Sequence, residues 1–126
     1  MSFFKRLFQK EKPKEIPAMP PWSEIVEMMK DKHLDAFADE VVRVVYSADK
    51  TMRYVVLKDE KGLFTYQLEA IYQFDEDEWK YICSNNDALP AMWEPFRGFA
   101  GKSFFENEEE LLKEMEEEPE YKQYFE

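Results

Sequence analysis

His33 is the only imidazole in the chain and Cys83 the only thiol, set among twenty-eight carboxylates. Acid–base or nucleophilic chemistry would need a positioned partner for one of them. His33 falls in KDKHLD, which reads as a solvated helix face, and Cys83 follows a Trp-Lys-Tyr-Ile run as a small hydrophobe of the buried kind. The carboxylates gather as DEDE at 75–78 and as Glu108, Glu109 and Glu110. Neither run has the alternating spacing and central glycine of a calcium loop, and consecutive carboxylates cannot all face one ion. A helix cap and a solvated helix face explain both. The chain contains no glycine-rich phosphate loop, no G-x-S-x-G and no H-E-x-x-H. The expectation is therefore a non-catalytic protein with no metal and no cofactor; a carboxylate-dependent enzyme is the third-ranked alternative.

Recognition chemistry is easier to find. In MWEPFRGF (92–99), tryptophan, phenylalanine and arginine are the types that most often anchor protein interfaces. Arg97 is the candidate exposed hydrogen-bonding group, with Trp93 or Phe96 as the anchor. The competing expectation, ranked first, is that both aromatics close the end of the core. A second candidate is the N-terminal arm, residues 1–14 of MSFFKRLFQKEKPKE. Phe3, Phe4, Leu7 and Phe8 lie at i, i+1, i+4 and i+5, one side of a two-turn helix, while Lys5 and Arg6 occupy the other. Such a segment is too short to be helical alone and suits weak contact with an anionic membrane or with a partner; the competing expectation is that it lies on its own domain with its lysines near the glutamates of 106–120, or is disordered.

Charge narrows the partners. The net charge is -11, and residues 1–14 hold five basic groups against Glu11, so residues 15–126 carry -15. A body of that charge repels a phosphate backbone, which excludes nucleic acid, and attracts a basic protein. In size and charge alone the chain resembles immunity proteins, which neutralise toxins.

The elements must position these groups. At 126 residues with 44% hydrophobic and 17% aromatic side chains, residues 22–126 read as one acidic α+β domain with a real core rather than a disordered chain. Four prolines within 10–21 mark a linker. Ser23 is the expected N-cap of a helix over 24–38, broken near Lys30 to His33. VVRVVY, TMRYVVLK and GLFTYQLEAIYQF, separated by SADK and DEKG, predict a three-stranded antiparallel β-meander over 41–74, with Gly62 at positive φ. Phe64, Tyr66, Leu68 and Ala70 share one apolar face, on which two or three α-helices are expected to pack, leaving the other face polar. Asp75 and Glu78 suit a capping box for 76–83, where helix is preferred to strand. A fourth or fifth strand falls around Met92 or Ser103 to Phe105. Asn107 caps a helix ended by Pro119, and Tyr121, Tyr124 and Phe125 pin the C-terminus.

The function expected is a small protein-interaction domain: an acidic binder, inhibitor, immunity-type protein or adaptor. A peripheral membrane protein of structural or regulatory role is the alternative. With one cysteine, no signal sequence and no spanning segment, the expected location is cytoplasmic, peripheral to the inner face of the membrane where the arm engages it. Oligomeric state does not follow from the sequence.

Overall fold

The β-branched and aromatic runs form strands because side chains of that shape pack well on a pleated surface. In the computed structural model, which describes residues 16–83, 88–98 and 103–126, they are β1 (Glu40–Tyr46), β2 (Met52–Lys58) and β3 (Phe64–Gln73). A fourth strand, β4 (Ala91–Pro95), extends them into a sheet of order β1-β2-β3-β4, antiparallel throughout. Phe105 adds an isolated antiparallel bridge to Phe64, so both late segments singled out as strand-like do pair with the sheet. Gly62 closes the β2–β3 turn at φ 82, and the carboxylate of Asp59 accepts the Lys61 and Leu63 amides there.

Among the described residues four helices accompany the sheet: α1 (Trp22–Met29), α2 (Glu76–Ile82), α3 (Glu108–Glu116) and α4 (Pro119–Tyr124). The α2 capping box forms as expected, with Asp75 accepting the Glu78 amide and Glu78 accepting the Asp75 amide. Asn107 caps α3 through the Glu110 amide. Pro119 ends α3 and, as first residue of α4, restarts the helix in a new direction.

Two details differ from the sequence expectation. First, α1 starts at Trp22, with Pro21 rather than Ser23 at the cap position; it stops at Met29, at the break expected near Lys30 to His33, but no α-helix resumes between there and 38. Asp31 and His33 adopt left-handed backbone, and a 3-10 turn at Leu34–Ala36 follows, so His33 lies on an exposed turn and not on a helix. Tertiary contacts hold that break: the Tyr46 hydroxyl donates to Asp31 Oδ1 and accepts the Asp31 amide, while Arg53 Nη1 donates to the Lys32 carbonyl.

Second, the helices are shared between the two faces of the sheet. Tyr54, Val56, Tyr66 and Leu68 pack against Leu111 and Met115 of α3 and against Tyr121, Tyr124 and Phe125. An irregularity between Val41 and Arg43 lets Val42 join that cluster while Arg43 reaches Glu108. On the opposite face α1 packs Ile25 and Met29 against Ala91, Trp93 and Ile71. That face is not simply polar, because Val55 and Leu57 are buried on it beside a buried ion pair.

Candidate interaction surface

Strand alternation sends Trp93 to the α1 face, opposite Ile71, where it is 5% exposed. Its indole N–H donates to the Met29 carbonyl at 2.8 Å, and the Arg53 guanidinium lies 4.1 Å from its ring centroid. Trp93 thus ties α1 to the sheet. Phe96, in the 3-10 turn Phe96–Gly98, is half-buried on the other face, edge-on to Tyr124 at 5.8 Å. Arg97 is exposed, with left-handed backbone (φ 50, ψ 38), and stacks over the Phe96 ring at 4.9 Å. Of the three residues marked in sequence, Phe96 and Arg97 come together and Trp93 faces away from them. Phe3, Phe4, Lys5, Arg6, Leu7 and Phe8 lie outside the described residues.

Sequence reasoning missed the ion pair beneath Trp93. Arg53 is fully buried; its Nε donates to Glu69 Oε1 at 2.9 Å, and Glu69 Oε2 accepts from Gln67. The signal was present as two charges at facing positions of β2 and β3, on the side taken to be wet.

A second carboxylate holds the C-terminal helices down. Glu118, the residue before Pro119, accepts Tyr54 Oη at 2.9 Å on Oε2 and Tyr66 Oη at 2.5 Å on Oε1. Burial, followed by the bond to Glu118 and its negative charge, pushes both phenols well above the ordinary tyrosine range. Both therefore stay protonated donors at neutral pH. Phe125 packs on Tyr54 with centroids 4.7 Å apart, which completes the attachment.

The outward side of this anchored unit is a carboxylate surface. Residues 106–120 contain nine acidic groups against Lys113, a net charge of -8. Glu108 pairs with Arg43, Glu117 with Lys122, and Glu118 serves the tyrosines. Glu106, Glu109, Glu110, Glu114 and Glu116 are exposed and form no ion pair among the described residues.

Cys83 is half-buried at the end of α2, less enclosed than its sequence context implied, and desolvation pushes its thiol up, away from the thiolate that a nucleophile needs. Among the described residues no group of three or more His, Cys, Asp or Glu is disposed to hold a metal ion, and no helix is long and apolar enough to cross a membrane.

Together these features define an acidic α+β protein whose four-stranded sheet is held between an N-terminal helix and a C-terminal helix pair. No protein-family model matches the sequence, and comparison with curated proteins and with solved structures gives no match.

Proposed function

We propose that this chain is a small non-catalytic interaction domain that binds a basic surface on a protein partner, in the manner of an inhibitor, an immunity-type neutraliser or an adaptor. The observation that carries it is the exposed, uncompensated carboxylate surface of α3. Glu114 and Glu116 lie toward the C-terminal end of that helix, where the helix dipole disfavours negative charge, and Glu110 and Glu114 form a like-charge i, i+4 pair. The surface is therefore poorly matched to the stability of its own helix and well matched to a cationic partner. Arg97, held out over Phe96, supplies a directional group elsewhere on the body.

The test is affinity capture from extracts of the source cells, using the full chain and a variant carrying Glu109→Lys, Glu110→Lys and Glu114→Lys. The wild type should retain a stoichiometric basic protein at low salt and release it as salt rises. The triple variant should lose at least about tenfold in capture while remaining folded at the assay temperature. An acidic captured protein, or capture indifferent to the charge reversal, would overturn the reading.

A second reading concerns where the domain is held. The interleaved apolar and basic residues of 3–8 in the sequence suit the inner face of an anionic membrane, where each nearby basic residue contributes about 1 kcal/mol. Flotation with anionic but not neutral vesicles, abolished by Phe4→Glu, is the expected pattern. Equal recovery of full-length and arm-deleted protein in the soluble fraction would end it.

A further inference from the structure

Phe105 is pinned on both sides of its peptide: its amide donates to the Phe64 carbonyl and its carbonyl accepts the Phe64 amide, each at 2.8 Å. Its ring turns inward and stacks on Tyr66. In extended backbone the preceding side chain must point the opposite way. Phe104 accordingly projects outward and is 62% exposed. It does not stand alone, because it lines an open groove of about 390 Å³ with Leu63, Asp39, Asp59, Glu60 and Lys61. Asp59 is fixed by the turn amides it accepts through Oδ1, and Asp39 and Glu60 form no ion pair among the described residues.

We infer that this groove is where the partner inserts a basic side chain, arginine or lysine, flanked by an apolar residue. This rests on the reading of the chain as an acidic binder of a basic protein and assigns that reading a site. A large exposed aromatic on backbone anchored at the next residue brings apolar area to a partner at little backbone cost, which suits an interface anchor. The face of Phe104 takes a cation by cation–π attraction, Asp39 and Glu60 supply counter-charge at the rim, and Leu63 takes the apolar stem or neighbour. Among the described residues three carboxylates line the groove against Lys61, which disfavours a phosphate or an anionic headgroup as occupant. A second copy of this chain is disfavoured by the -15 carried on residues 15–126 of each body. Phe104 also precedes α3 by only a few residues, and the first turn of that helix is Glu108, Glu109 and Glu110.

The test is titration of the isotope-labelled full chain with a short blocked peptide of alternating arginine and leucine, followed by amide chemical shifts. The glutamate–leucine counterpart is the control. Shifts should concentrate at Asp39, Asp59 to Leu63 and Phe104 for the basic peptide alone, and Phe104→Ser should weaken binding about tenfold. Should Phe104→Ser lower the melting temperature, Glu60→Lys on the exposed rim decides instead, with the same loss expected. Shifts confined to Glu108–Glu116, equal binding of the acidic peptide, or peptide-induced self-association would overturn the groove. If the α3 charge reversal abolishes capture of the basic protein while the groove variants capture normally, the groove alone fails. If neither set affects capture, the reading beneath it fails too.

Discussion

Arg43–Glu108 and Arg53–Glu69 are chemically the same pair in different solvents. The first joins side chains that are 49% and 32% exposed, the second side chains that are 0% and 7% exposed. Water already solvates the charges of the first, so breaking it with Arg43→Ala should cost only about 0.2–1 kcal/mol. Glu69→Ala leaves a fully buried guanidinium with its counter-charge gone, and about 3–5 kcal/mol is expected. Urea denaturation of the two variants measures the difference, and similar losses would mean that Glu69 is more hydrated than its burial indicates. The same contrast explains what could be seen in sequence at this scale. Alternation correctly sorted Phe64, Tyr66 and Leu68 to one face, because apolar side chains declare their environment. Arg53 and Glu69 do not, since a charge satisfied inside the fold has the same letter as one in water.

At the scale of elements, the caps of α2 and α3 were legible, while the start of α1 and the tertiary contacts were not. Asp75 and Glu78 form the expected box because its partners lie within one turn, and Asp75→Ala should cost about 1 kcal/mol in a thermal melt. Glu78 also accepts the Tyr72 hydroxyl at 2.6 Å, and that bond pushes the phenol up to about 12. The early end of α1 falls at the polar run Lys30 to His33 that marked it in sequence, but the contacts that hold it come from Tyr46 and Arg53, on strands that follow it in the chain, and no local pattern shows those. The allocation of helices to faces was hidden for a related reason: the apolar stripes of α1 and α3 look alike, and only the position of Trp93 on β4 shows which side α1 takes.

The attachment of α4 gives this scale its pH dependence. Tyr54 and Tyr66 have folded values raised above that of an unfolded tyrosine, near 10, so their contribution to stability is fully present below about pH 10 and is lost as pH rises toward the folded values. Denaturant midpoints should hold steady from pH 7 to about 9 and fall beyond about 10. Tyr54→Phe with Tyr66→Phe should flatten that fall, at the expense of lower stability at neutral pH from the orphaned Glu118. A double variant with the same alkaline decline as the wild type would place the titration elsewhere.

For the whole molecule the decisive quantity is charge. A net -11 with -8 gathered into residues 106–120 means that folding brings like charges together, and the folded state bears a self-repulsion that the expanded chain largely escapes. Salt shortens the range of that repulsion from about 30 Å at 0.01 M to about 8 Å at physiological strength. The melting temperature should therefore rise with salt, by roughly 4 °C if about 1 kcal/mol of repulsion is relieved in a domain of this size. Attraction to the proposed basic partner would run through the same carboxylates with the opposite sign, so the affinity should fall over the range in which stability rises. Glu114→Lys separates the two effects within one residue. It removes a like-charge i, i+4 contact and places a cation nearer the helix C-terminus, for a gain of a few tenths of a kcal/mol, while it deletes part of the proposed binding surface. A variant that melts higher and captures less is the expected result. One that melts lower, or captures as well as the wild type, would show that Glu114 serves its own helix.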